Sequence, residues 1–188
     1  MQPLEPLRFL QAESRKKILE RAQNGEIDAV ALRLATVFGY APGIRFHTML
    51  NKFVFMASTG MPLIIYGTGE QKRPFLHVKD ASRALLFCME REDMKNDVFN
   101  VVGCNSSVNE IVQCIKKKCP HIETVNVNTG ILNQISYAVN SAKIQNRGFT
   151  AETTIDKGLM NLWCGLGLSK SVVLRTVNSS KYHKSKYD

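Results

Sequence analysis

No apolar run in the sequence approaches eighteen residues, and no basic N-terminal segment is followed by an apolar core. These absences argue against a membrane-spanning protein and against a secreted one. The five cysteines are odd in number and form no C-x-x-C pair, which is typical of reduced thiols. We therefore expect a cytoplasmic protein. We expect no metal site, because no second pair of cysteine or histidine residues stands at ligand spacing.

The chain is also poor in acidic charge: 16 Asp and Glu residues stand against 25 Lys and Arg residues, giving a formal net charge of +9. Such an excess favours anionic partners, including phosphorylated small molecules and nucleic acid. Part of the excess is local, in the run Lys116–Lys118 and in the tail at 169–188. No aromatic residues interleave with the run, so the pattern favours a solvated face. A basic nucleic-acid-binding or scaffold protein stays open as an alternative.

Apolar patterning predicts alternating strands and helices, with no internal repeat. Strands are predicted at 29–38, 63–66, 75–78, 98–103 and 123–128. Helices are predicted at 10–24, 44–58, 80–91, 108–118 and 154–164. The alternation indicates an α/β chain with parallel pairing. The nearly continuous apolar run at 29–38 is typical of a strand buried on both faces.

Local signals refine this plan. Ser107 and Glu110 have the spacing of a capping box, and Asp80 is expected to cap the helix that follows it. Residues 1–168 form the predicted domain, and the polar tail at 169–188 is expected to be irregular. The order begins with a helix, so we expect that an earlier part of the fold precedes residue 1.

Several ordered motifs resemble one known family. They are LRLATVFG at 32–39, APGIR at 41–45, IIYGTGEQKRPFLHVKDASRAL at 64–85, VFNVVGCNSSVNEIVQCI at 98–115 and VNSAKIQNRGFTAETTIDKGLMNLW at 139–163. In this order they resemble the C-terminal half of the extended short-chain dehydrogenase/reductases, the NAD-dependent nucleotide-sugar epimerases and dehydratases. The resemblance implies the C-terminal part of a Rossmann-like doubly wound fold with a small substrate-binding lobe. It also implies that the N-terminal cofactor half is absent.

The resemblance assigns a role to Arg73 in the stretch GTGEQKRPFLHV. In the family this segment lies over the nucleotide diphosphate, and its arginine meets the phosphates. A guanidinium offers forked donors and stays charged, which suits a diphosphate. Gly67 and Gly69 are expected to allow close approach of the backbone, and Pro74 to stiffen the turn. Chemistry alone favours Arg73 as a solvated residue at the entry of a strand, and it is the resemblance that favours the phosphate contact.

The resemblance implies three further substrate-binding residues, Asn51, Arg45 and Thr36. For Asn51 a surface polar role stays open beside a nucleotide contact. Thr36 stands where many relatives have asparagine near the sugar diphosphate, and its hydroxyl has a shorter reach. Arg33 is expected to be a buried ion-pair partner, and Asp80 to be structural.

Departures from the family pattern concern the chemistry itself. The chain has no glycine-rich turn between a first strand and a helix, where a dinucleotide pyrophosphate would rest. Phe9 and Glu5 occupy the positions that match the catalytic lysine and tyrosine of Tyr-x-x-x-Lys, and neither supports that proton chemistry. Tyr182 and Lys186 repeat the spacing in the tail, out of place. Ile135 stands where relatives place an arginine.

We therefore predict no catalytic residue in this chain and no binding of NAD by this chain alone, although the family uses NAD. Three interpretations follow. The chain is the nucleotide-sugar-binding half of an epimerase or dehydratase, an isomerase-type enzyme completed by a missing cofactor half; or it is a non-catalytic nucleotide-sugar-binding module or relic; or it is a basic nucleic-acid-binding or scaffold protein. Expected partners are a nucleotide-diphosphate sugar, the missing half and a second copy of the chain. The apolar strand at 29–38 also predicts self-association.

Overall fold

A computed structural model describes residues 5–128 and 136–167 of the chain. In these ranges the helices are α1 (Glu5–Gln23), α2 (Met49–Ser58), α3 (Val78–Met89), α4 (Val108–Lys116), α5 (Ala142–Gln145) and α6 (Ile155–Gly165). The strands are β1 (Val30–Leu34), β2 (Thr36–Phe38), β3 (Leu63–Tyr66), β4 (Lys72–His77), β5 (Asp97–Val101), β6 (Cys104–Ser107) and β7 (Thr124–Val127). The predicted α/β class is confirmed.

Parallel pairing dominates the strands. β1 pairs with β5 and β3 pairs with β7, both in parallel. In the three-stranded sheet β2-β4-β6, β2 and β4 are parallel and β6 is antiparallel to β4. Parallel pairs need crossover connections, and α3 and α4 lie within these connections. The mixed pattern is that of a Rossmann-like sheet with a smaller lobe beside it.

The apolar run at 29–38 does not form a single strand, and that prediction was wrong. The backbone N–H of Ala35 still donates to the carbonyl of Val101, but from Thr36 onward the chain pairs with β4. The first part of the apolar run therefore pairs with β5 and the second part pairs with β4. Burial on both faces was also wrong for β1, because Leu34 is 39% exposed, whereas Phe38 in β2 is buried.

β4 lies between two hydrophobic cores. Phe75 belongs to a core that α2, β3, α4 and α6 build, and the adjacent Leu76 belongs to a core built by α3, β5 and α5. Both side chains are at most 1% exposed. Successive side chains of a strand point to opposite faces, so β4 is covered on both sides. This coverage fixes the strand on which Arg73 lies.

Helix boundaries follow local signals except at the starts of α1, α2 and α3, and α1 begins at Glu5, five residues before the predicted start. α1 ends two residues before Gly25, and Ser107 with Glu110 forms the predicted capping box of α4. α2 begins at Met49 and not at residue 44, because the preceding Thr48 is extended. α3 begins at Val78, and its cap is His77, whose ring nitrogen accepts from the backbone N–H of Lys79. The prediction that Asp80 caps this helix was therefore wrong.

Two elements were not predicted from residue patterns, the strand β6 and the four-residue helix α5. β6 has the sequence CNSS, which lacks the β-branched and aromatic residues that signal strands. The tail at 169–188 and Ile135 lie outside the described residues. Across the described part of the chain, no helix is both long and apolar enough to cross a membrane.

Candidate functional site

Arg73 lies at the start of β4, opposite Ser106 of β6. Its side chain is partly buried, and its guanidinium carbon lies 5.1 Å from the centre of the Tyr137 ring. Its Nη1 also donates to the carbonyl of Lys72 at 2.9 Å. A planar guanidinium stacked on an aromatic ring loses rotational freedom before any ligand arrives. Tyr137 was not predicted as a neighbour of Arg73, because the two residues are 64 positions apart and no sequence pattern joins them.

The turn before β4 is tied to α4 through Asn109. The Asn109 side chain donates to the carbonyl of Thr68 at 3.1 Å and to the carboxylate of Glu70 at 2.6 Å. A Cβ on Gly69 would lie 2.1 Å from the Asn109 amide oxygen, and Gly69 also has a φ of +79°. The close approach expected at this glycine is therefore made by Asn109. Pro74 lies within β4 and not in the turn, as its pairing with Asn105 shows.

Thr36 lies near Arg73 at the start of β2, whereas Arg45 lies beyond the opposite end of this strand. Thr36 opens β2 and pairs with Phe75, two residues beyond Arg73 on the neighbouring strand. Arg45 is exposed and follows the other, carboxyl end of β2. Because β2 has three residues and the rise is about 3.3 Å per residue, about 7 Å of strand separates Thr36 from Phe38. Thr36 and Arg45 therefore belong to opposite ends of this strand.

Asn51 lies in α2 and is 3% exposed, so the surface interpretation of this residue was wrong. Its amide oxygen accepts from the backbone N–H of Gly39 at 3.1 Å, and its amide nitrogen donates to the carbonyl of Arg45 at 3.1 Å. These two bonds tie Asn51 to Gly39, directly after β2, and to Arg45, in the loop before α2. Arg33 was expected to be a buried ion-pair partner, but its side chain is exposed, which makes that prediction wrong.

Two residues near the carboxyl ends of β2 and β4 were not predicted, His77 and Asn161. His77 is 1% exposed, and its Nε2 lies 3.3 Å from the amide oxygen of Asn161 in α6. Since Nδ1 accepts from Lys79, Nε2 carries the proton and donates. Burial lowers the pKa of His77 below 6.5, although its bond to Asn161 opposes the shift. The two residues are 84 positions apart, and no sequence pattern joins them.

Asp80 is structural, as expected, although not as a cap. One carboxylate oxygen accepts from the backbone N–H of Glu152 at 3.2 Å and the other from that of Thr153 at 2.9 Å. Arg83 adds an ion pair at 2.7 Å. Burial alone raises the pKa of Asp80, but these hydrogen bonds outweigh it and hold the pKa below 3.8. Asp80 therefore fastens the connection between α5 and α6 to α3.

Four of the five cysteines are at least partly buried, and Cys164 is exposed. All five are free. Burial raises the pKa of Cys104 to about 11, and it also raises the pKa values of Cys88, Cys114 and Cys119. Among the described residues, no group of three or more His, Cys, Asp or Glu side chains is placed to hold a metal ion.

The glycine turn between β3 and β4 does not fit the pyrophosphate of NAD. Gly67 and Gly69 lie in the turn between β3 and β4, so a strand and not a helix follows them. A dinucleotide site needs the N-terminus of a helix directly after the glycines. Phe9, at the position that matches the catalytic lysine, is 65% exposed and carries no titratable group. No step of hydride transfer is therefore assigned to this chain.

Comparison with known proteins agrees with the fold. Residues 14–102 match the model of the NAD dependent epimerase/dehydratase family. A curated relative, the uncharacterized UDP-glucose epimerase YtcB of Bacillus subtilis (strain 168), is 24% identical over 166 residues, which are 86% of this chain and 51% of the relative. The chain thus spans about half the length of this relative.

Solved structures show the same partial coverage. The structure of MoeE5 in complex with UDP-glucose and NAD is 31% identical with a TM-score of 0.75, over 89% of this chain and 58% of that chain. The dTDP-glucose 4,6-dehydratase of Bacillus anthracis str. Ames in complex with NAD has 20% identity and a TM-score of 0.70, over 97% of this chain and 55% of that chain. The sequence motifs, the fold and these matches together show that the chain is similar to the NAD-dependent epimerase/dehydratase family, and it spans about half the length of the relatives named here.

Proposed function

We propose that this chain is the nucleotide-sugar-binding part of an NAD-dependent epimerase or dehydratase, in which Arg73 meets the substrate diphosphate. The observation that carries the proposal is the setting of Arg73, on a strand covered by two cores and with its guanidinium stacked on Tyr137. MoeE5, solved with UDP-glucose and with UDP-glucuronic acid, is 31% and 29% identical to this chain in the two structures.

The remaining site residues fit an extended ligand. Thr36 lies on the strand beside Arg73, close enough along the sheet to offer its hydroxyl to the same diphosphate. Arg45 and Asn51 follow the far end of β2, whose two ends are about 7 Å apart by strand rise. A nucleotide-diphosphate sugar is long enough to lie along this direction, with its phosphates at Arg73 and another part of the molecule at Arg45. A compact anion such as inorganic phosphate would contact only one end.

The oxidation chemistry requires a partner. NAD would supply transient oxidation of a sugar carbon, and a cofactor-binding half, on the same or another polypeptide, would hold it. The residues of this chain bind and orient the nucleotide sugar. A second copy of the chain is a further proposed partner, and the free cysteines are in line with the proposed cytoplasmic location.

The first test is calorimetry with UDP. Arg73→Ala should weaken UDP binding by about 1.5–3 kcal/mol, the range for a hydrogen bond to a charged group. The matched control is Arg33→Ala, which removes an exposed guanidinium from β1 and should leave the affinity unchanged. Equal affinity of Arg73→Ala and the unaltered protein, with the same circular dichroism, would refute the phosphate role of Arg73.

A second candidate is a binding module without redox chemistry. It is favoured by Phe9, which is 65% exposed at the position that matches the catalytic lysine. The two functions differ in one measurement, the signal of a converted sugar nucleotide by chromatography after incubation of the protein with UDP-sugar and NAD, with and without a cofactor half supplied from a relative. A signal only in the mixture supports the first function. Tight UDP binding with no signal in either sample supports the second.

A further inference from the structure

The loop that carries Arg45 is held at both of its ends by one buried side chain. We call residues 39–45 the arginine loop. Asn51 accepts from the N–H of Gly39 at the start of this loop and donates to the carbonyl of Arg45 at its end, each over 3.1 Å. Asn51 is 3% exposed, so water does not compete for these bonds. Its amide therefore fixes the span of the loop.

A second asparagine holds the same loop from the other side. The N–H of Tyr40 donates to the amide oxygen of Asn161 in α6 at 3.3 Å, and Nε2 of His77 donates to that oxygen as well. The Tyr40 ring lies on the backbone of Gly165, where an added Cβ would stand 2.1 Å from the ring. α6, the last helix of the described chain, thus holds the start of the arginine loop through its contacts with Tyr40.

The backbone conformation at Gly39 and the space around it restrict the start of the arginine loop. Its φ is +121°, a conformation that L side chains rarely adopt, and an added Cβ would lie 2.6 Å from Nε2 of His77. The loop therefore starts from a backbone conformation that the surrounding groups determine. A loop that is fastened at its first two residues and at its last keeps its arginine in a narrow range of positions.

We propose that Asn51 and Asn161 are positioning residues that hold the arginine loop, so that Arg45 faces the bound nucleotide. The proposal rests on the function proposed above and goes beyond it, because it gives Asn51 a role through Arg45 in place of a direct contact. The chemistry suits asparagine at position 51. Aspartate would keep an acceptor for Gly39 but offer no donor to the Arg45 carbonyl, and leucine would supply neither group.

The first experiment needs no ligand. Amide hydrogen exchange of Gly39 and Tyr40 is measured by NMR in the 188-residue chain. Asn51→Leu should speed exchange at Gly39 by about tenfold or more, because the N–H loses its acceptor, whereas Asn51→Asp should leave it slow. Asn161→Leu should have the same effect at Tyr40. The control is Asn146→Leu, an exposed asparagine at the end of α5. Unchanged exchange at both amides would overturn the proposal.

The second experiment asks whether Asn51 acts through Arg45. UDP affinity is measured by calorimetry for Arg45→Ala, Asn51→Asp and the double variant. If Asn51 positions Arg45, each single change weakens binding and the double variant is no weaker than Arg45→Ala. If Asn51 contacts the nucleotide directly, the two fold-changes multiply, and the positioning role is refuted.

The two experiments separate the possible failures. If amide exchange stays slow in the Asn51→Leu and Asn161→Leu variants while UDP binding is normal, the positioning role of the two asparagines is refuted and the proposed function stands. Failure of the unaltered chain to bind UDP would refute the proposed function, and with it the role of Arg45, whatever the exchange rates show. The proposal requires two results together. Amide exchange at Gly39 is fast in Asn51→Leu, and the double variant binds UDP no more weakly than Arg45→Ala.

Discussion

Single residues decide how the ends of β2 and β4 are connected to the rest of the molecule. His77 is the clearest case, because it ends β4, caps α3 and donates to Asn161 of α6. The cap of α3 needs the neutral ring, because Nδ1 must accept from the N–H of Lys79, whereas Nε2 can donate to Asn161 in either charge state. The groups around the ring are Asp80 and Lys79, which act on its charge in opposite directions, and the uncharged amide of Asn161.

This geometry predicts how stability depends on pH. Burial lowers the pKa of folded His77 below its usual 6.5, so the unfolded chain takes up the proton first as the pH falls. The free energy of unfolding should therefore be constant above pH 6.5 and decrease below it. Urea titrations, followed by the fluorescence of buried Trp163, test this from about pH 7 to about pH 5.

The matched variant for this titration is His77→Asn, which keeps a side chain that can cap α3 but cannot titrate. Its free energy of unfolding should be lower overall and flatter across the same pH range. His121→Asn removes an exposed histidine and should retain the slope of the unaltered protein. A slope in His77→Asn as steep as that of the unaltered protein would assign the pH dependence to other groups.

Asp80 provides a second prediction for a single residue. Its carboxylate accepts two backbone N–H groups and pairs with Arg83 while being 1% exposed. Asp80→Asn should lower the free energy of unfolding by about 1.5–3 kcal/mol, the range for hydrogen bonds to a charged group. Because the folded pKa lies below 3.8, this contribution is complete above pH 3.8 and is lost as the pH falls below it.

The control for Asp80 is Asp28→Asn, which removes a carboxylate that is 70% exposed and pairs with Lys95 on the surface. Urea unfolding at neutral pH should show a much smaller loss for this variant than for Asp80→Asn. Equal losses would mean that burial and the backbone contacts of Asp80 add nothing to an ordinary surface charge.

At the scale of whole elements, local signals predicted helix ends well and strand partners poorly. The capping box of α4 was predicted because Glu110 stands three positions after Ser107. Both of its bonds are present: the Glu110 N–H donates to Ser107 Oγ, and the Ser107 N–H donates to the Glu110 carboxylate. These contacts form within one helical turn. By contrast, the division of 29–38 into β1 and β2 depends on β5 and β4, which come later in the chain.

The capping box supplies a prediction at this scale. Ser107→Ala should lower the free energy of unfolding by about 1 kcal/mol, the usual cost of losing a helix cap. Ser82→Ala is the control, since Ser82 is exposed within α3 and its hydroxyl bonds back to the carbonyl of Val78. Alanine there should be neutral or slightly stabilising. Chemical denaturation of the two variants decides the matter, and an equal effect of both would contradict the cap's contribution.

At the scale of the whole molecule, α1 and β1 carry several exposed apolar residues. Phe9, Leu10 and Ile18 of α1 are 65%, 60% and 49% exposed, and Leu34 at the end of β1 is 39% exposed. In the described part of the chain, β1 pairs with β5 alone. An apolar surface next to an unpaired strand edge favours association.

We therefore expect self-association of the isolated chain. Light scattering behind a sizing column should give a mass that rises with concentration. Phe9→Ser combined with Ile18→Lys should shift this rise to higher concentration, because both changes remove exposed apolar area from α1. Val125→Ser, on the other small sheet, is the control and should not shift it. A constant monomer mass over the whole concentration range would refute this expectation.

The sequence by itself determined the α/β class, most helix boundaries, the capping box and the resemblance to the family. These depend on apolar periodicity, helix caps and ordered motifs, which act over a few residues. Only the tertiary structure decided that Asn51 is buried against Gly39 and Arg45, that Tyr137 stacks on Arg73 and that His77 meets Asn161. The physical reason is that such contacts join residues whose distance is set by the path of the whole chain, and a polar side chain carries no local sign of which distant partner it will meet.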